Sequence, residues 1–129
     1  MMYRILNVRQ IPGEDFKVWF TDDYWDLFVW IDSEKRISAF QLSYGKPSDE
    51  RVLSWKRKSG FSAMTVSSGE ESMTANRTPI MVEDTDFDAD AVGKRFAEDS
   101  LKINRKIAAF VAARIDSFRA NQERRRAEA

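Results

Sequence analysis

The chain has 129 residues, 21 Lys and Arg against 21 Asp and Glu, and neither Cys nor His. Its length suits one domain, 1–129, that buries roughly two-thirds of its unfolded surface, and its zero net charge gives no overall field to recruit nucleic acid or a membrane. Without Cys there are no disulfides, thiolate nucleophiles or cysteine zinc sites; without His the usual general base near neutral pH, the Ser-His-Asp triad and the commonest transition-metal ligand are missing.

MMYRILNVRQ has no sustained apolar run, so neither a signal peptide nor a membrane span is expected, and the cytoplasm is the default location. Residues 3–10 read as a strand, and Pro12-Gly13 supplies the fixed φ and the positive φ of a tight turn. Residues 16–20 can follow as a strand. Next comes YWDLFVWID, residues 24–32, closed by the polar run at 32–36, and residues 37–44 extend again as the second arm of a hairpin. Gly45-Lys46-Pro47-Ser48-Asp49 is loop composition, 51–57 is a strand, Ser59-Gly60 turns the chain into 61–66, 67–71 is a loop, and 80–82 follows Pro79 as a last short strand.

Near residue 85 the apolar period changes from two to that of a helix. Asp84, Asp86, Asp88 and Asp90 suit a helix N-terminus, where carboxylates cap free N–H groups. Val92, Phe96, Ile103, Ile107, Phe110, Val111, Ile115 and Phe118 keep to one broad stripe and Leu101 falls off it. One long helix or two with a break near Asp99-Ser100 fit this pattern, and the near-continuous phase favours one. The expectation is an α+β fold: an antiparallel meander of four to six strands (1–83) with one face packed on a long C-terminal α-helix or two helices (84–122), and a frayed tail at 123–129. A helix from 88 past 118 is roughly 45 Å long, more than a sheet of five-to-six-residue strands covers. Its overhanging Val111, Ile115 and Phe118 therefore predict a homodimer interface.

In YWDLFVWID, Trp25, Leu27, Val29 and Ile31 share one face of the strand, and Tyr24, Asp26, Phe28, Trp30 and Asp32 share the other. The first set is wholly apolar and belongs to the core, with Phe40, Leu42, Tyr44, Leu53 and Trp55 beside it. The second faces outward together with Ile37, Ala39, Gln41, Ser43, Val52, Ser54 and Lys56. Rings set among small side chains make a shallow hollow, so Asp26, Phe28, Trp30, Gln41 and Lys56 are the candidate binding residues, for an unidentified partner protein or small molecule. The bland alternative is that loops, the first strand or a second protomer cover this face. A small enzyme using carboxylates or Lys in the same hollow is the rival function.

Other motifs fail. The Asp84–Asp90 series lacks the Gly and Glu of a calcium loop in either register, and Gly45-Lys46-Pro47-Ser48 lacks the upstream Gly of a phosphate loop, so no metal or cofactor is expected. Lys56-Arg57-Lys58 is a small basic knot that could meet phosphate or an acidic partner. The succession DLFVWID, AFQLSYGKPSDERVLSW and GFS, about residues 19–62, resembles a group of small bacterial proteins with no known function. The resemblance implies a bacterial, cytoplasmic origin and no particular activity.

Overall fold

The computed structural model describes residues 1–45, 50–66, 81–83 and 88–128, those at 64–66, 81–83 and 121–128 as backbone only. Seven strands, β1 (Tyr3–Ile5), β2 (Phe16–Thr21), β3 (Trp25–Ile31), β4 (Ile37–Tyr44), β5 (Arg51–Lys56), β6 (Gly60–Val66) and β7 (Met81–Glu83), form one sheet in sequence order, every neighbour antiparallel. Helices α1 (Ala89–Asp99) and α2 (Arg105–Glu128) follow. The α+β meander is therefore as the change of period predicts, with three-residue edge strands bringing the count to seven. The loop at 67–71, Ile80, Asp84 and Asp86 lie outside the described residues.

Turn chemistry explains the meander. Glu14 N–H donates to Ile11 O at 3.1 Å around Pro12-Gly13, with Gly13 at φ 87°, the positive value a type II turn demands at its third position. Between β3 and β4, Asp32 Oδ1 accepts from the N–H groups of Glu34 and Arg36, both at 2.9 Å, while Lys35 takes the left-handed φ of 64°. The first strand is shorter than its apolar content suggests: Asn7 at φ 61° ends the extended run, so residues 6–10 are not strand. The Gln10 side chain substitutes for the missing ladder, accepting from Lys17 N–H and donating to Lys17 O, both at 2.8 Å.

The core lies between one sheet face and the two helices. Trp25, Leu27, Val29, Phe40, Leu42 and Leu53 are sealed on the sheet side, and Phe96, Val111 and Ile115 on the helix side. Phe96 meets Trp25 edge-on at 5.8 Å. Met2 is also fully buried, its N–H donating to Asp99 O at 3.1 Å.

The helical half corrects the favoured single helix. Ser100 closes α1, its N–H donating to Phe96 O at 2.9 Å, and Asn104 caps α2, its Oδ1 accepting from Lys106 and Ile107 N–H at 2.9 and 3.2 Å. Leu101, off the apolar stripe, sits exposed in the connection. The helices lie antiparallel, with Asp90 paired to Arg119 at 3.3 Å and Ile115 Cγ2 lying 3.3 Å from where a Cβ on Gly93 would be. Because the chain folds back, the overhang that predicted a homodimer does not arise: Val111 and Ile115 are core residues, and Phe118 packs edge-on against Phe61 at 5.2 Å. α2 also continues to Glu128, through the stretch expected to fray, in keeping with the helix-forming Glu, Arg and Ala there.

Candidate functional site

The outer face is a lattice fixed by strand register. One row runs Thr21, Asp26, Ser43, Val52; the next Trp19, Phe28, Gln41, Ser54, Ser62; the next Lys17, Trp30, Ala39, Lys56. All five candidate residues, Asp26, Phe28, Trp30, Gln41 and Lys56, thus fall on the face where alternation places them. Ile37 does not: the register shifts between Trp30 and Ile31, so Ile37 pairs with Ile31 and packs against the core. Such a bulge reverses the parity of the residues beyond it.

The rows differ in cover. Ser43 and Val52, beside Asp26, are buried, whereas Trp30 and Ala39 are half-exposed and Lys56 is exposed. Asp26 is committed to the fold: its Oδ1 accepts from Trp19 Nε1–H at 3.0 Å and from Thr21 Oγ–H at 2.7 Å. It orients Trp19, which stacks on Phe28 at 5.3 Å; Phe28 in turn lies 6.3 Å from Trp30. The Lys17 ammonium covers this strip, 4.5 Å from the Phe28 ring centre and 5.6 Å from that of Trp30, a cation–π arrangement. Trp19 and Lys17 extend the site beyond the sequence expectation. Their signal was the alternation of residues 16–21, legible only once β2 is known to pair with β3.

From the Trp30–Ala39–Lys56 row the face opens into a groove of ≈ 460 Å³ between the β3–β4 and β5–β6 turns. Its carboxylates are largely occupied. Asp32 and Glu34 both bind Arg36, at 3.2 and 3.0 Å, and Asp15 accepts from Ser38 Oγ–H at 2.5 Å. The hydrogen bond from Arg36 N–H holds the Asp32 carboxyl below the usual aspartate range, assisted by Glu34 N–H and the Arg36 charge against a smaller opposing effect of burial. Lys56 and Lys58 have no carboxylate partner among the described residues, so the groove's uncommitted charge is positive. The basic knot therefore adjoins the outer face. Asp22 is a turn residue, its Oδ1 accepting from Tyr24 and Trp25 N–H at 2.7 Å each.

Among the described residues no helix is long and apolar enough to cross a membrane, and no cluster of acidic side chains is arranged to hold a metal ion. No family model, curated protein or solved structure matches the chain, so the resemblance over residues 19–62 gains no support from these comparisons and the site stands on its own geometry.

Proposed function

We propose that this chain is a cytoplasmic, non-catalytic binding module that presents the outer face of β2–β5 and the adjoining groove to a partner protein or small molecule. The observation that carries this reading is the row Lys17–Trp30–Ala39–Lys56, where a half-exposed indole sits beside a small residue and opens into a groove with uncommitted positive charge. The rings are already ordered by mutual stacking, which lowers the entropy lost on binding. The rival enzyme reading draws nothing from Asp26, whose Oδ1 is held by Trp19 and Thr21.

A thermal-shift screen of nucleotides, small acids, aromatic metabolites and acidic peptides on wild type, Trp30→Ala and Lys56→Ala tests the module. A ligand that raises Tm in wild type and loses that effect in both variants supports it. Ligands that stabilise all three proteins alike, or none that stabilise wild type, sink it.

A further inference from the structure

Trp55, on the core face of β5, has two guanidinium groups against it: Arg57 Cζ lies 5.6 Å from the ring centre and Arg114 Cζ, from the middle of α2, lies 5.7 Å away. Arg114 also sits 5.0 Å from the Phe110 ring, one helical turn back on the same face of α2. The two cationic carbons are therefore no farther apart than the sum of their distances to that shared centre, about 11 Å.

Like charges gathered at an aromatic cluster need counter-charge, and among the described residues none is in ion-pair contact with either arginine. The acidic residue nearest in sequence to Arg114, Asp116, is taken by Arg119 at 2.8 Å. Arg114 Nε is the one buried side-chain polar atom among the described residues with no hydrogen-bond partner. Ring faces attract a guanidinium but offer no lone pair to an N–H in its plane, and a buried donor without an acceptor calls for an explanation. Arg57 is held in place, its Nη2–H donating to Ile37 O at 2.8 Å and its backbone N–H to Ser38 O at 2.9 Å, which leaves most of its five donors uncommitted. Arg57 is exposed and Arg114 half-buried, so the position is reached from solvent on the Arg57 side.

We propose that Arg57 and Arg114 form an anion clamp at the rim of the Trp55–Phe110 aromatic cluster, and that its ligand is a phosphate group, free or carried by a small molecule. Guanidinium forks arriving from a strand end and from a helix ask for acceptor oxygens pointing in more than one plane, which a tetrahedral oxyanion offers and a flat carboxylate does not. With charge-assisted N–H···O bonds of about 2.8 Å on each side, two forks around one phosphorus bring their carbons to roughly 8 Å, inside the limit set by Trp55. Arg57 also lines the wall of the groove beside the outer face, whereas Trp55 and Arg114 belong to the other side of the sheet, so the clamp adjoins that site through Arg57 alone.

The test uses the full chain at fixed ionic strength with chloride as the balancing anion. Arginine Nε–H resonances are followed by ¹⁵N NMR during titration with inorganic phosphate, phenyl phosphate and acetate, the Arg114 signal being identified by its loss in Arg114→Lys. The expected result is a saturable shift of the Arg114 signal with phosphate, at least tenfold weaker in Arg57→Gln, and a weaker response to acetate. Tighter binding of phenyl phosphate would identify a carried group, and equal binding free phosphate; both support the clamp. An Arg114 signal that stays still in wild type, moves without saturating, responds to acetate as well as to phosphate, or keeps its affinity in Arg57→Gln overturns it. Where Arg114→Lys fails to fold, the Arg114 Nε–H is assigned instead by through-bond correlation to its own backbone amide, so the wild-type titration still decides.

Discussion

Each face of the β2–β3 pair carries a tryptophan whose indole N–H donates to an aspartate, and the two pairs have different consequences. On the core face Trp25 is fully buried and reaches Asp99 Oδ2 at 2.7 Å, across 74 residues of chain, so the bond ties the sheet to the end of α1. On the outer face Trp19 of the neighbouring strand reaches Asp26 Oδ1 at 3.0 Å, seven residues away, and the bond ties only two adjacent strands. The same chemistry closes the fold in one place and orders a half-exposed surface in the other. What separates them is the layer above: α1 and α2 cover the first face, and the middle of the second is left with half-exposed rings.

The sharpest way to break this comparison is to remove one ring from each face. Phe96→Ala deletes a fully buried ring packed on Trp25 and is expected to cost about 3–5 kcal/mol, enough to threaten folding of a domain this size. Trp30→Ala, on the partly exposed strip, should cost less, about 2 kcal/mol, since part of its surface is already wet. Urea unfolding of both variants measures the difference; equal losses would mean that the outer face is as much core as the inner one. Next in size, Asp99→Ala leaves the buried Trp25 N–H without its acceptor and should cost about 1–3 kcal/mol. The measurement to set beside it is hydrogen exchange at the Trp25 indole N–H, which should quicken in Asp99→Ala and stay slow in Trp30→Ala.

How far these faces were legible in the sequence depends on what fixes each of them. The parity of β3 is written in WDLFVWI itself, because a one-residue slip would bury Asp26 and expose Leu27 and Val29. The partner face on β4 was legible up to Ala39 and not at Ile37, because one bulge residue shifts parity and bulges leave no fixed composition. A break near Asp99-Ser100 was legible but not favoured, because Ile103 and Ile107 stay in phase across it; the residue that marks the second start is Asn104, the N-cap of α2. The expected overhang of Val111, Ile115 and Phe118 rested on a single straight helix; in a helical half that doubles back, Val111 and Ile115 are buried within their own chain and Phe118 packs partly buried against Phe61. Trp19 and Lys17 were illegible for another reason: their place in the site depends on which strand β2 pairs with, a long-range fact.

A smaller effect is expected at the sheet edge, where the outer and core faces end together. The Gln10 amide engages both backbone groups of Lys17 beyond the end of β1, and so blunts an edge that Phe16, 52% exposed, would otherwise make adhesive. Gln10→Ala should lower stability by about 1 kcal/mol, since the freed groups can turn to water. It should also raise self-association, which light scattering at increasing concentration would detect. A variant as monodisperse as wild type would show that the edge is protected by something other than this side chain.

The smallest effect, and the one that separates the groove from the core, concerns pH. Asp32 has its carboxyl depressed by Arg36 N–H first, with Glu34 N–H and the Arg36 charge assisting, so in the folded protein it gives up its proton more readily than in the unfolded chain. A depressed folded pKa contributes stability that is fully present above the ordinary aspartate value and is lost as pH falls through the lower folded value. Asp32→Asn should therefore be less stable than wild type at neutral pH, and the gap should narrow below about pH 4, where the unfolded aspartate begins to protonate. The gap should also shrink in high salt, because this turn is solvated and the Arg36 contribution is screened. A gap that holds constant from neutral pH down to about pH 2 would mean that the turn depends on the shape of the side chain and not on its charge. Arg36 would then be no anchor for the groove wall, and Lys56 and Lys58 would face carboxylates less firmly held than the ion pairs at Arg36 imply.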